Sequence, residues 1–490
     1  MPPLGAVLLA LVVTLIATQY LKLQLLRRRY PPGPTPLPII GNLWTLKCEL
    51  RYETLMQLAN TYGNIFTIWL GKTPAVVLNG CWSVRDALIS HSEELSGRPI
   101  TPALEEMAKG RGIVHSSGNS WKQHRRFSLM TLRNLGLGRR SLEVRIQEET
   151  KHLTEIFEMT KGNPVDPSQA LVHCVSNVIS AVVFGHRFSR EDKEFHELVE
   201  ANNFLLSFLG KTWCRLYDIA PWLMRCLPGP QQDFMRLNTL IEKFVEKEIK
   251  IHKENGLSKE PQDLIDCYLN QISNTSDDAN SCYDNDNLVR TVADFFIAGT
   301  ESPSTTLGWA LLYMVNEPAI QEKVQKELDA VLGESKTIQW EDRKILPYTN
   351  AVIHEVQRYS NIQSAGVFRE TVKETTLQGF NIVKGTIIIP NLASCHFDPD
   401  HWETPHQFNP NHFLDKDGNF VSNEAFLAFS AGHRVCLGEL LARTELFIFF
   451  SSLLRAFTFK LPEGVKDVNL DYIFGLSLKP HPYKICAVPR

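Results

Sequence analysis

Phe429-Ser430-Ala431-Gly432-His433-Arg434-Val435-Cys436-Leu437-Gly438 is the stretch on which the reading of this chain turns. Two glycines and a phenylalanine bracket one cysteine, and an Ala-Leu-Glu-rich helical run begins directly after it. The free N–H groups at a helix start, with the positive end of its dipole, stabilise a thiolate. Glycine lets backbone come close to a flat ligand. Arg434 is placed to pair with a carboxylate on that ligand. A single thiolate with backbone donors and no ligand cluster around it suits axial coordination of haem iron by Cys436. A structural cysteine buried in a turn is the alternative; it accounts for the cysteine but not for the pattern.

These residues resemble the haem-binding loop of the cytochrome P450 family, whose pattern Phe-x-x-Gly-x-Arg-x-Cys-x-Gly is matched at every fixed position from Phe429 to Gly438. The resemblance extends over nearly the whole chain and is nearest to the second vertebrate microsomal family. It implies a mainly α fold with a minor β region, preceded here by an N-terminal transmembrane helix.

Working outward, Trp121 and Arg125 stand four apart, so on a helix they share a face. An indole N–H beside a guanidinium suits carboxylates, and in the family this spacing marks the helix that binds the haem propionates; taken alone it is also what a solvated helix face carries. Arg369 resembles another propionate contact. Glu355 and Arg358 are spaced for an ion pair along one helix face. In the family they brace the segment before the haem loop with an arginine as third partner. Here Pro410-Asn411-His412-Phe413 places His412 there instead.

Ala298-Gly299-Thr300-Glu301-Ser302 lies in a long apolar segment from Leu288 to about Asn316. A mid-helix glycine costs about 1 kcal/mol against alanine and needs a reason. The family's reason is an opened helix turn at Gly299 that leaves room for dioxygen, with an acid and a hydroxyl, Glu301 and Ser302, relaying protons. Two departures stand out. Ser302 occupies the usual threonine position without the methyl that fixes its rotamer. Pro303 removes a helical hydrogen bond. The alternative is a site that has abandoned oxygen chemistry. By resemblance the substrate space takes Phe295, Phe296, Ala298, Val367 and Phe474, with residues 100–115 and 203–210; an ordinary core would use the same residue types.

Leu4 to Leu21 is an almost unbroken apolar run, long enough as a helix, at roughly 27 Å, to cross a bilayer. Lys22 and Arg27-Arg28-Arg29 follow it and no basic residue precedes it, which favours a cytosolic body. A cleaved signal and a buried core helix are the other readings. Pro31-Pro32-Gly33-Pro34, Pro36 and Pro38 exclude helix and suggest a stiff extended spacer. The expected organisation is an anchor at 1–26, a basic, proline-rich hinge at 27–42 and a catalytic body at 43–490, on the endoplasmic reticulum membrane facing the cytosol.

A net charge of −3 gives no footprint for nucleic acid. The ten cysteines show no CxxC pair, so neither zinc nor a disulfide framework is indicated, and a reducing compartment suits them. The 141–159 and 233–255 stretches carry helical periodicity, 273–287 reads as a polar loop, and strands are expected at 75–78 and around a Lys384-Gly385 turn within 376–390.

No nucleotide-binding glycine motif is present, so NADPH is expected to act only indirectly. The resemblance implies haem b (iron protoporphyrin IX), NADPH-cytochrome P450 reductase as electron donor, and cytochrome b5 as a candidate second donor. Lys122, Arg126, Arg133, Arg139 and Arg140 are candidates to dock an acidic partner. The reaction implied is hydroxylation or epoxidation of lipophilic molecules, whether fatty acids, steroids or xenobiotics. Two rivals remain at this point: a haem-thiolate isomerase or dehydratase that needs no reductase, and a membrane-bound haem or lipid carrier without turnover.

Overall fold

The computed structural model describes residues 4–136, 140–333 and 337–490. Helices dominate, and their longest member, Asn285–Asn316, runs 32 residues through the middle of the body. It begins three residues before the first apolar position because the Asp284 side chain accepts a hydrogen bond from the Asn287 N–H, at 2.7 Å, and caps it. It passes through Pro303 without interruption. Around it pack Ser168–Val183, Lys193–Gly210, Pro230–Glu254, Pro347–Ser360 and Glu439–Ala456. The apolar faces of these helices merge into one continuous core.

The expected helices appear at Arg140–Met159 and Pro230–Glu254. The polar loop is shorter than its composition suggested, since Leu264–Asn274 is helical. The sheet differs more. Ile65–Leu70 pairs antiparallel with Thr73–Leu78, which pairs parallel with Ile387–Pro390, and Arg369–Glu370 closes the far edge. Lys384-Gly385 forms a turn as expected, with Gly385 at φ 79°, but the tight hairpin of this segment is a second turn at Gln378-Gly379. Both of its residues have positive φ, 47° and 85°, the geometry a tight two-residue hairpin demands. Strand register carries Arg369 inward: it stands opposite Ile388, which stands opposite Val76.

Leu4–Arg27 is a single helix, long and apolar enough to cross a membrane, with none of its apolar window buried. The proline-rich segment after it is not a free spacer. The Pro32 carbonyl accepts from the Thr67 N–H at 2.8 Å, Arg27 bonds to Thr35 and Gly33, and Gly33 lies so close to Thr67 that a Cβ would overlap its carbonyl oxygen. The segment is docked along the first strand of the sheet.

Candidate haem site

The cysteine loop is held by its own backbone. The Cys436 N–H donates to the Phe429 carbonyl and the Val435 N–H to the Gly432 carbonyl, each at 3.0 Å. Gly432 has φ 72° and sits where any Cβ would strike the Leu88 carbonyl oxygen, so no other residue fits. Gly438 is different: its φ is −89° and a Cβ would meet no protein atom within 4 Å. Protein packing therefore does not call for glycine at 438, and a flat ligand lying against the loop would. Helix Glu439–Ala456 starts directly afterwards.

The Cys436 thiol has open surface, yet it lies deep enough for burial to push its pKa up; the Gly438 N–H and the Arg125 charge pull the other way. In the central helix Ala298 is likewise open and Ser302 half-buried, while their neighbours Ile297, Thr300, Glu301 and Pro303 are buried.

Four guanidiniums gather beside this loop. Arg125 donates to the Val435 carbonyl at 2.9 Å. Arg434 donates to the carbonyls of Ser96 and Ser116, at 2.8 and 2.7 Å, and lies 3.9 Å over the Trp121 ring. Arg369 reaches Ser430 Oγ at 3.0 Å, but its Nε and Nη1 are buried with no partner. The fourth, Arg98, donates to the carbonyls of Val114, Val367 and Phe368. Burial lowers all four, and repulsion from neighbouring guanidiniums adds to it for Arg98, Arg369 and Arg434, taking Arg369 to about 9 and Arg434 to about 8. No carboxylate figures among the causes of these shifts. Buried cations need a counter-charge, and the two carboxylates of a haem would supply it. The residues present fit that group.

Arg98 escaped the sequence reading, since Gly97-Arg98-Pro99 has no periodicity to mark it. The buried ion pair of Arg290 and Asp294, 2.7 Å apart, escaped as well. Asp294 accepts from the N–H groups of Ile113 and Val114, and Arg290 donates to the Met107 carbonyl, which fixes the 107–114 segment over the central helix. Charges four apart inside an apolar helix were the available signal.

Two expectations need correcting. Phe296 is fully buried and packs on Phe184 and Phe195, 6.1 Å between ring centroids in each case. It faces the helical core, about 200° around the helix from Ala298. Gly299 is glycine because Ile179 needs the room: a Cβ would lie 2.6 Å from its Cγ1. The helix runs on through this turn, and the Ser302 hydroxyl donates to the Ala298 carbonyl at 2.9 Å. Phe295 lies on the same helical face as Ala298 and Ser302 and is mostly buried. Val367 is exposed and Phe474 partly buried against the sheet's core.

Glu301 and Ser302 do not touch each other by any bond described. The Glu301 carboxylate is buried with Lys479 Nζ 2.8 Å from Oε1. The contact is an ion pair. Glu355 and Arg358 pair with neither exposed, and His412 Nδ1 stands 3.2 Å from Glu355 Oε1. Arg139 and the side chain of Arg140 lie outside the described residues.

A family model described as cytochrome P450 matches residues 31–487. The chain is 43% identical over 486 residues to cytochrome P450 2J2 of Homo sapiens, across 99% of this chain and 96% of that protein. It is 42% identical to cytochrome P450 2K4 of Oncorhynchus mykiss, across 94% and 92%. Identity to cytochrome P450 2C8 of Homo sapiens is 40%, across 94% and 95%.

Proposed function

The chain belongs to the cytochrome P450 family and is a haem monooxygenase of it, and from that premise we propose that it hydroxylates or epoxidises lipophilic molecules with electrons delivered from NADPH by a flavoprotein reductase. The observation that carries the reading is Cys436: one open thiol at a helix start, beside three buried guanidiniums and a half-buried fourth, with no acid among them. Bound there, the haem supplies oxygen activation, and an anionic sulfur ligand favours cleavage of the O–O bond. Cys436 holds the iron. Trp121, Arg98, Arg125, Arg369 and Arg434 hold the propionates, while Phe429 and Gly438 shape the loop against the ring. Ser302, with Glu301 behind it, moves protons to the oxygen side. Phe295, Ala298, Val367 and Phe474 form the substrate walls.

The remaining assignments follow the same reading. Residues 1–26 anchor the chain in the endoplasmic reticulum membrane, 27–42 link it to the body, and 43–490 form the catalytic unit facing the cytosol. Lys122, Arg126 and Arg133 offer positive charge to NADPH-cytochrome P450 reductase, with cytochrome b5 as second donor. An apolar anchor and an apolar lining both favour substrates drawn from the bilayer: fatty acids, steroids or xenobiotics. The test is turnover with reductase and NADPH against a panel of these three classes, run beside Cys436→Ser. Oxygenated product that needs both reductase and Cys436 supports the reading. Rearrangement of peroxides without reductase would replace it.

A further inference from the structure

Lys479 stands where three elements meet. Its ammonium lies 2.8 Å from Glu301 Oε1 on the central helix and donates at 3.3 Å to Asn203 Oδ1 on helix Lys193–Gly210. Its own strand, Lys479–Pro480, pairs with Tyr472–Ile473. That hairpin is bound on both sides. The Leu476 N–H donates to the Leu206 carbonyl at 3.1 Å, and Trp309 Nε1 donates to the Leu478 carbonyl at 2.9 Å. Gly210 and Gly475 approach so closely that a Cβ on Gly210 would overlap the Gly475 backbone.

Lys479 is the one charge acting on the Glu301 carboxyl among the described residues. Burial raises that carboxyl's pKa, and Lys479 opposes the rise. Its side chain is 32% exposed and that of Glu301 4%. The ammonium thus reaches from the surface to an acid that solvent barely touches.

We infer that Lys479 is a positioning residue, which clamps the Glu301 carboxylate away from Ser302 and, through Asn203, ties that acid to the helix proposed to cover the substrate space. The inference rests on reading Glu301 as the acid of the oxygen site. Release of Asn203 loosens Lys479, and loosening Lys479 frees the carboxylate to turn toward Ser302. The acid is thereby coupled to the position of helix Lys193–Gly210.

The test uses the haem-loaded, substrate-free protein. Isotope-edited infrared spectra with 13C-glutamate, taken as a difference against Glu301→Gln, report whether residue 301 is carboxylate or acid at neutral pH. Wild type and Lys479→Arg should show the carboxylate, and Lys479→Met the protonated acid. Amide exchange across 203–210 should quicken about tenfold in Lys479→Met and in Asn203→Ala, the scale of one lost charged hydrogen bond, but not in Lys479→Arg. An unchanged carboxylate in Lys479→Met would overturn the clamp. Unchanged exchange in Asn203→Ala would overturn the tie to the helix. Failure of the underlying reading has a separate signature: Glu301→Gln would keep full product yield per NADPH, an outcome independent of the infrared result.

Discussion

Arg358 grips Glu355 through two parallel hydrogen bonds, Nε to Oε2 and Nη2 to Oε1, each 2.7 Å long. Both side chains are wholly buried, so every remaining donor and acceptor must be met inside the protein. The guanidinium also donates to the carbonyls of His396, Pro405 and Gln407. The carboxylate accepts from the Asn409 N–H and from His412. Thr404 N–H donates to His412 Nε2, which makes Nδ1 the protonated nitrogen and the donor to Glu355. A neutral histidine thus fills the third place without adding a second buried cation.

Removing the acid alone should be far worse than its share of the contact. Glu355→Gln leaves the Arg358 charge buried without a counter-ion, at a cost of about 3–5 kcal/mol. Thermal unfolding of the haem-loaded protein should register it, with early haem loss. Arg358→Lys should not rescue stability, because an ammonium cannot make the paired bonds. A Tm within a degree or two of wild type would show that the pair is dispensable.

Arg369 offers the opposite case. Its Nε and Nη1 are buried without partners and it is repelled by Arg125. Arg369→Met should therefore leave the haem-free protein as stable as wild type, or more so. The holoprotein should lose a charged hydrogen bond to a propionate, about 1.5–3 kcal/mol. Haem transfer to apomyoglobin should run roughly ten to a hundred times faster for the variant. Equal transfer rates would mean that Arg369 faces no propionate.

The contrast between these arginines explains what the sequence could disclose. Arg434 and Arg125 stand in fixed spacing to a motif, and Arg369 follows the apolar Gly366-Val367-Phe368 segment, so all three are legible; Arg98 reaches the site through a loop that nothing local marks. Phe296 failed because apolar residues one position apart on a helix face different ways, and which of them turns to the core depends on Phe184 and Phe195, more than a hundred positions earlier. Gly299 was recognised as constrained, but the constraint comes from Ile179. Helix positions followed from periodicity; strand pairing between residues 73–78 and 387–390 did not, because parallel partners so distant in sequence leave no local trace.

The arginine cluster also predicts a pH dependence. Arg434 is depressed to about 8 by burial first and by Arg369 and Arg125 next. Its unfolded value is higher, so above pH 8 the unfolded chain binds the extra proton, and folding stability rises with pH there. Below pH 8 both states hold the proton and the penalty is fully present. The comparison is haem-free wild type against Arg434→Met in urea: the gap between them should narrow as pH rises from 8 toward 9.5 (roughly, within the window where the depressed group discharges). The raised thiol pKa of Cys436 acts with the opposite sign in both proteins and cancels in that gap. Haem loading should abolish the trend, since propionates keep the guanidinium charged. A gap independent of pH would mean Arg434 stays charged in the empty fold.

Ser302 carries the last test. Its hydroxyl donates back to the Ala298 carbonyl at 2.9 Å, one turn earlier, while Pro303 has no N–H to give the Gly299 carbonyl. That turn consequently holds one hydrogen bond from a side chain and lacks one from the backbone, beside a half-open surface. A back-bonded hydroxyl contributes little to helix stability, so Ser302→Ala should unfold within about 0.5 kcal/mol of wild type. Proton delivery is another matter. Losing a positioned hydroxyl should cut product formed per NADPH by roughly tenfold or more, with the difference appearing as peroxide or water. Ser302→Thr keeps the hydroxyl and adds the methyl that restricts its rotamer, so coupling should be retained. If Ser302→Ala couples as well as wild type, the proton arrives by another route, and Glu301 must reach the oxygen side without it.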